Sequence, residues 1–235
     1  MVSGQRLLLI AADRREFSGL LRYCRDVKRL GWPVRWARTA RLSGHEVVLV
    51  ANGMGAERAA KGVDVAYSAG GIDLICSMGF CGALEDGMKI SDIVVADRVR
   101  YLGEEYAAAP PESARNHWCG TMESIDHVAQ TSEEKCALRL GGASAVEMEA
   151  GGVAAKAAQL GARFCCVRSV TDLACESFRF DFNAALLSDG RFGTMRLIAA
   201  ICRRPLTLLP ELLRLGMRSR AASLTLGEFL ANCRF

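Results

Sequence analysis

Carboxylic acids follow directly on two apolar segments of this sequence. Glu147 and Glu149 flank Met148 where an apolar run passes into an alanine-rich helix, and Asp172 ends an apolar stretch that begins near residue 162. A carboxylate that points into an apolar environment costs several kcal/mol unless something pairs with it. A pair of hydroxyl groups on a ligand would supply such a partner. The alternative is that the glutamates only occupy the first turn of a helix, where the helix dipole stabilises each by roughly 0.3–1 kcal/mol.

Alternating strand and helix patterns predict where these acids lie. The predicted strands are 6–12, 45–50, 72–78, 92–97, 119–122 and 162–172, and the predicted helices are 14–30, 59–67, 132–140, 151–160 and three arginine-studded segments between 192 and 233. This order predicts an α/β fold: a single three-layer domain over residues 1–235, with a central mixed, mostly parallel β-sheet flanked by helices. Residues 192–235 would form a C-terminal helical extension, and 103–117 a surface loop. Ligands of such sheets bind beyond the carboxyl ends of the strands, so the ends of 72–78 and 162–172 should converge.

Composition narrows the class of protein. The net charge is +4 and no basic stripe with interleaved aromatic residues is visible, which argues against nucleic acid as a partner. The apolar run 7–12 is too short for a signal peptide or a membrane span, so we expect a cytoplasmic protein. Ten cysteines without a C-x-x-C pair, and only three histidines, predict buried free thiols (Cys202 among them) and neither disulfides nor a metal site.

A glycine turn follows the second predicted strand. Gly53 and Gly55 have the spacing that begins a dinucleotide-binding fingerprint, but Arg58 stands in place of the third glycine. The acidic residue usual at the end of the next strand is also missing. A dinucleotide cofactor is therefore disfavoured, and no organic cofactor is expected.

Three ordered motifs carry a resemblance to a known family. They are MGFCGAL at 78–84, AVEMEA at 145–150 and VRSVTD at 167–172. In this order they resemble the nucleoside phosphorylase and nucleosidase superfamily, and within it the 5′-methylthioadenosine/S-adenosylhomocysteine nucleosidases, over roughly residues 6–182. The resemblance implies a nucleoside phosphorylase-like fold, a homo-oligomer, and cleavage of the N-glycosidic bond of an adenosine-type nucleoside without a metal or cofactor.

The resemblance also implies roles for the acids. Asp172 would protonate N7 of the leaving purine, unless it is only a helix N-cap. Glu149 would accept hydrogen bonds from the 2′- and 3′-hydroxyls of the ribose, with Met148 as an apolar wall against the sugar. Glu16, four residues after the first strand, would activate water, or would be an exposed helix charge. Glu147 is expected to form a structural salt bridge, and Arg168 to hold Asp172 or lower its pKa.

Further residues are candidates for contact with the substrate. Val128 and Ala129, after the turn at Ser124 to Asp126, stand where the family contacts adenine, although Val128 replaces the usual aromatic residue. Gly79 lies in the glycine turn beside the ligand, and Phe180, in the aromatic segment 178–182, is another candidate for substrate contact. Phe80 departs from the family, which often has Ser there to contact phosphate or water.

Ser77 replaces an arginine common in phosphorylases, so hydrolysis is favoured over phosphorolysis. Phosphorolysis remains an alternative if Arg14, Arg15, Arg38 or Arg41 supply phosphate ligands, and so does a nucleoside-binding protein without catalysis. The Leu- and Arg-rich tail and the apolar Phe80 resemble the hopanoid-associated phosphorylase-like proteins, which implies a substrate such as adenosylhopane with a large apolar 5′ substituent. Arginines beside leucine-rich helix faces also predict contact between the tail and the inner membrane surface.

Overall fold

The computed structural model describes residues 4–235, which form ten strands and six α-helices. The strands are β1 Arg6–Ala11, β2 Arg25–Arg29, β3 Trp36–Leu42, β4 His45–Ala51, β5 Leu74–Ala83, β6 Ile93–Tyr101, β7 Glu104–Ala107, β8 Trp118–Ser124, β9 Ala145–Glu147 and β10 Arg163–Asp172. The helices are α1 Ala56–Ser68, α2 Ser132–Leu140, α3 Ala150–Leu160, α4 Phe182–Ala185, α5 Thr194–Arg203 and α6 Pro205–Ala231.

One mixed sheet contains all ten strands. Its centre, in the order β10-β5-β1-β4, is parallel throughout. The antiparallel strands β3 and β2 extend it at one side, beyond β4. At the other side β10 also pairs with β6. The strands β10, β6, β8, β9 and β5 each pair with the next, and β5 pairs with β10, so these five strands form a closed ring. This architecture confirms the predicted fold class.

Helices cover both faces of the parallel centre. Along β1, Leu8 and Ile10 point to the face covered by α1 and α3. Leu7 and Leu9 point to the opposite face, where the end of α6 packs. Successive side chains of a strand face opposite sides, so an apolar run such as 7–11 is buried on both. Gly19 permits the close approach of α6, because a Cβ at this position would lie 1.9 Å from the carbonyl oxygen of Ser223.

The predicted helix 14–30 is wrong. Residues 13–19 form turns, Leu20–Arg22 is a single 3₁₀ turn, and Arg25–Arg29 is the exposed edge strand β2. Phe17 and Leu20 are fully buried, but Val27 is 45% exposed. The strand β3, absent from the prediction, offers an open edge to β2, and this long-range pairing overrides the local helical pattern.

Two further segments differ from the prediction. The expected loop 103–117 contains β7, which forms a hairpin with β6 through Leu102 and Gly103, both at positive φ as in a type I′ turn. Residues 192–235 form two helices and not three. Pro205 begins the second, at a position where its missing N–H costs nothing, and the expected break near 218–222 lies inside α6.

The second half of α6 belongs to the core. Leu226, Phe229 and Leu230 are buried in the core, where α6 packs mainly on β10, β5 and the 3₁₀ turn Leu20–Arg22. Cys202 is exposed and not buried as expected, and none of the ten cysteines, all of which lie within residues 4–235, forms a disulfide. Within the same part of the chain, no helix is both long and apolar enough to cross a membrane.

Candidate active site

A cavity of about 1190 Å³ opens at the carboxyl ends of the central strands. Its walls come from the turn after β1, the ends of β4, β5 and β10, the segment after β8 and the start of α3, with α5 and α6 above. The lining includes Ala12 to Glu16, Gly53, Met54, Phe80 to Gly82, His127 to Ala129, Val146 to Glu149, Thr171, Asp172, Phe192, Leu197, Gly216, Ser219 and Arg220. The structure thus places Asp172, Glu16, Glu149, Met148, Phe80, Val128 and Ala129 around one space.

A buried ion pair forms the floor of this region. Arg168 is fully buried, and its Nη2 donates to Ser77 Oγ at 2.8 Å and to the carboxylate of Glu147. Glu147 also accepts the main-chain N–H groups of Glu149 and Ala150, at 2.8 Å each to Oε2. The expected salt bridge of Glu147 is confirmed. Glu147 therefore shapes the turn into α3, and this turn directs Glu149 into the cavity.

Glu149 faces the cavity from this turn. It occupies the N-cap of α3, is 5% exposed, and accepts the N–H of Gly55 on Oε1 at 3.0 Å. Burial raises its pKa, and the nearby carboxylates Glu147 and Glu16 raise it further, while Arg168 opposes them. The glycine turn is therefore tied directly to this carboxyl group.

Glu16 is buried although its turn lies at the surface. Its Oε2 accepts the N–H groups of Ala12 at 2.9 Å and Asp13 at 3.2 Å. Desolvation by burial raises the pKa of Glu16 to about 7, against an opposing effect of Arg168. Gly79 lies beneath this carboxyl group and does not line the cavity itself. A Cβ at Gly79 would lie 3.1 Å from Glu16 Oε1 and 2.5 Å from Arg168 Nη1, so the glycine leaves room for both groups.

The guanidinium of Arg168 is only partly paired. Within residues 4–235 its Nε and Nη1 have no hydrogen-bond partner, although both are buried. Unpaired buried donors are costly and call for a partner such as a water or a ligand oxygen. Because Nη1 lies next to Gly79, such a partner would also be close to Glu16.

Asp172 has a different cation as its partner. Its Oδ2 accepts from Lys135 Nζ at 2.5 Å, and its Oδ1 accepts from Thr171 Oγ1 at 3.1 Å. The expectation that Arg168 holds Asp172 is therefore wrong. Burial raises the pKa of Asp172, and the ammonium of Lys135 is the largest opposing effect. The role of Lys135 is not predicted from the sequence, because a lysine inside an amphipathic helix is normally exposed and nothing local marks this one as buried.

The main chain after β8 forms another wall. Val128 is held by Asn183, which accepts its N–H at 2.8 Å and donates to its carbonyl at 3.0 Å. Neither the N–H nor the carbonyl of Ala129 has a hydrogen-bond partner within the described chain. These two groups can therefore take a planar ligand edge that offers both a donor and an acceptor.

Phe180 does not reach the cavity. It packs edge-on against Phe182, with ring centroids 4.8 Å apart, in a separate cluster with Ala185 and Leu208. The structure therefore does not bring Phe180 to the cavity with the other candidate residues, and its contact with a substrate stays a prediction. Aromatic side chains that do line the cavity are Trp36, Phe80 and Phe192.

Comparison with known proteins gives the same assignment as the motifs. The model of the Phosphorylase superfamily matches residues 6–125 and 112–189. A 5′-methylthioadenosine/S-adenosylhomocysteine nucleosidase of Staphylococcus aureus is 28% identical over 177 residues, which are 63% of this chain and 78% of the relative. The corresponding enzyme of an Exiguobacterium species is 25% identical over 193 residues, 69% and 82% of the two chains.

Solved structures share the whole fold. A nucleosidase of the same name from Neisseria meningitidis, in complex with methylthio-immucillin-A, has a TM-score of 0.74 at 18% identity and covers 97% of both chains. Futalosine hydrolase of Helicobacter pylori has a TM-score of 0.72 at 17% identity, over 97% of this chain and 96% of that one. The resemblance found in the motifs is confirmed, and so is the expectation of an enzyme. This chain belongs to the phosphorylase superfamily.

Proposed function

We propose that this protein hydrolyses the N-glycosidic bond of an adenosine-type nucleoside and releases adenine. The observation that carries the proposal is that three buried acids, Asp172, Glu149 and Glu16, surround one cavity. In the register of the neighbouring strands β10 and β5, Asp172 lies opposite Gly82 and Arg168 lies opposite Gly79. These glycines are three residues apart, about 10 Å along a strand. A nucleoside lying over the end of β5 would thus have its base at Asp172 and its sugar at Glu16.

Departure of the base requires a proton. A purine leaves as a neutral molecule if an acid protonates N7 while the C1′–N9 bond breaks, and such acid catalysis contributes about 10²–10⁴-fold. Asp172 is suited to this step, because burial raises its pKa and favours the protonated form. Beside it, the free N–H and carbonyl of Ala129 match the acceptor N1 and the donor amino group of adenine.

The sugar requires a hydroxyl acceptor and an apolar contact. Glu149, with one oxygen on the Gly55 N–H, would accept from the 2′- and 3′-hydroxyls. This interaction strengthens as positive charge develops on the ribose in the transition state. Met148 is 7% exposed and lines the cavity next to it.

Water is the nucleophile that the floor of the cavity fits best. A water between Glu16 and the unpaired Nη1 of Arg168 would accept from the guanidinium and donate to the carboxylate. As its oxygen bonds to C1′, Glu16 takes one water proton, and the electrons of the C1′–N9 bond leave with the base. The products are adenine and the free sugar, so charge and protons balance once Glu16 returns its proton to solvent and Asp172 is protonated again.

Phosphate has a poorer place in this cavity. A phosphate dianion needs several cationic or polar donors beside the anomeric carbon. Phe80 occupies this place with a phenyl ring, and Ser77 is engaged by Arg168. Arg14 and Arg15 do line the cavity and keep phosphorolysis as the second candidate, whereas Arg38 stacks on Trp36 at 5.1 Å and Arg41 is exposed.

The deciding experiment measures adenine release with and without millimolar phosphate. Hydrolysis predicts equal rates and a free reducing sugar. A strict requirement for phosphate, with a sugar 1-phosphate as product, would replace hydrolysis by phosphorolysis. No adenine release under either condition, with nucleoside binding intact, would favour a non-catalytic binding protein.

The 5′ group of the substrate is proposed to be large and apolar, as in adenosylhopane. The cavity of about 1190 Å³ exceeds the roughly 300–1,000 Å³ of ordinary small-molecule sites. Met54, Phe192 and Leu197 contribute apolar side chains to its lining. In a series of 5′-alkylthioadenosines, kcat/KM should therefore rise with chain length, and a flat or falling series would contradict this assignment.

We also propose that α5 and the first half of α6 contact the inner membrane surface, in a homo-oligomeric cytoplasmic protein. Large apolar side chains are exposed there: Met195, Ile198, Leu206, Leu209, Leu213 and Met217. Arg196, Arg203, Arg204 and Arg214 are exposed beside them. Leu206→Ser with Leu213→Ser should reduce sedimentation with anionic vesicles, whereas Leu140→Ser, 84% exposed on α2, should not. Equal sedimentation of all three proteins would refute the contact.

A further inference from the structure

We propose that Lys135 is a positioning residue for Asp172: it fixes the carboxyl group at the place where the leaving base must be protonated. This role rests on the proposed function. Lys135 is fully buried in α2. It lies between the main chain at Val128 and Ala129, which would face the purine base, and β10, which ends in Asp172. A buried ammonium without a partner is strongly destabilising, so this lysine is held by what surrounds it.

All three N–H donors of the ammonium are used. Lys135 Nζ donates to Asp172 Oδ2 at 2.5 Å, to the carbonyl of Leu173 at 2.9 Å and to the carbonyl of Glu176 at 3.2 Å. The ring of Phe178 closes another side, with its centroid 5.1 Å from Nζ. A lysine has three donors and no acceptor, so the ammonium is saturated without any ligand. Its position is therefore set by the protein before a substrate arrives.

This arrangement fixes the orientation of the acid. Oδ2 of Asp172 is bound to Lys135, and Oδ1 to the hydroxyl of Thr171. Gly82 makes room for the carboxyl group, because a Cβ there would lie 2.8 Å from Oδ2. Productive geometry in an active site has to be held within about 0.5 Å, which needs such fixed contacts behind the reacting group.

The same helix also positions the base. α2 begins at Ser132, three residues after Ala129, and its N-cap Thr131 accepts the N–H of Glu134. Lys135 thus connects two parts of the site. One is the main chain at Val128 and Ala129, which would bind the edge of adenine, and the other is Asp172, which would protonate adenine. One rigid element sets the distance between the two, which is what protonation of one particular ring nitrogen requires.

The charged and titratable groups around Asp172 come from several elements. Lys135 approaches from α2, Glu176 from the segment after β10 and Arg218 from α6, and the thiol of Cys81 faces it from β5. Arg218 is itself paired with Glu176, with its Nη1 at 2.7 Å from Oε2. The ammonium of Lys135 is thus the closest positive charge to Asp172 and the strongest one that opposes the effect of burial on its pKa. Removal of the Lys135 ammonium is therefore expected to raise the pKa of Asp172 further.

The test is Lys135→Met, which keeps the length of the side chain and removes the charge. Lys156→Met is the matched control, since this lysine of α3 forms a surface pair with Asp64 at 3.0 Å, away from the cavity. In Lys135→Met we expect kcat for adenine release to fall about 10- to 100-fold, with KM within about threefold, because an acid out of place affects the transition state and not the bound substrate. One apparent pKa of the kcat/KM profile should rise by about one unit. The control should behave as the wild type.

A folded Lys135→Met variant with unchanged kcat and an unchanged pH profile would overturn the proposal, and so would a rise in KM alone. If this variant does not fold, its combination with Asp172→Asn removes both charges. Recovery of a cooperative thermal transition in the double variant supports the pairing, and no recovery overturns it. Failure of the proposed function is seen separately, as wild-type protein that releases no adenine.

Discussion

The stability of this protein should depend on pH through Glu16, and Glu16→Gln should remove that dependence. Glu16 is 7% exposed, and its Oε2 accepts two main-chain N–H groups. Glutamine keeps the shape of the side chain and one acceptor oxygen, but it cannot ionise. The variant therefore separates the cost of burying a charge from the packing of the side chain.

The magnitude follows from the pKa. Burial raises the pKa of Glu16 from 4.5 to about 7 in the folded protein. The folded state thus binds the proton more tightly than the unfolded chain, so the contribution of Glu16 to stability is fully present below pH 4.5. It declines as the pH rises and is lost once the pH exceeds about 7. A pKa difference of about 2.5 corresponds to about 3 kcal/mol of unfolding free energy.

Urea unfolding at several pH values between about 4.5 and 8 measures this effect. The unfolding free energy of Glu16→Gln minus that of the wild type should increase by about 3 kcal/mol across the range. Any fixed cost of the amide cancels in this comparison, as does the contribution of Asp172, which both proteins share. Glu57→Gln, at an exposed position of α1, controls for the loss of a surface carboxylate. A difference between Glu16→Gln and wild type that is constant with pH would refute the reasoning.

Three further substitutions test the other acids. Asp172→Asn should lower kcat by about 10²–10⁴-fold with nucleoside affinity nearly unchanged, and a variant that keeps a tenth of the wild-type rate would remove Asp172 from the acid role. Glu149→Gln should reduce kcat/KM more for a ribonucleoside than for its 2′-deoxy analogue; equal losses would contradict the hydroxyl contact. Glu147→Gln should lower the unfolding free energy by about 3–5 kcal/mol, because it leaves Arg168 buried without its counter-charge. Thermal unfolding at pH 7 measures this, and a loss below about 1 kcal/mol would contradict the structural role of Glu147.

Several features of the site can be predicted from local sequence. Apolar runs that end in polar residues mark strands and their carboxyl ends, and for this reason the local pattern suffices to assign Asp172 and Glu149 to one edge of a sheet. The helix 132–140 is predicted with the same limits that it has in the fold, because Thr131 is a good N-cap and its side chain does accept the N–H of Glu134. Glu16 is assigned by motif alone, and its burial in a turn, where a helix is expected, depends on tertiary packing.

Partners of buried charges cannot be predicted in the same way. Arg168 is expected to hold Asp172, which follows it closely in the sequence, yet Arg168 binds Glu147, 21 residues away, and Asp172 binds Lys135, 37 residues away. Phe180 is expected to contact the substrate but packs into another cluster. In both cases the sequence shows residue type and periodicity, and the contact depends on which distant element lies opposite.

The sequence by itself thus determined the class of fold, the order of most elements and the acids at the strand ends, because these follow from interactions among residues close in the chain. Only the tertiary structure decided the strand β2, the cavity above the acids and the burial of Lys135. A strand edge, an enclosed space and a desolvated charge each arise when segments far apart in sequence pack together, and the free energy of that packing exceeds the local preference that the sequence displays.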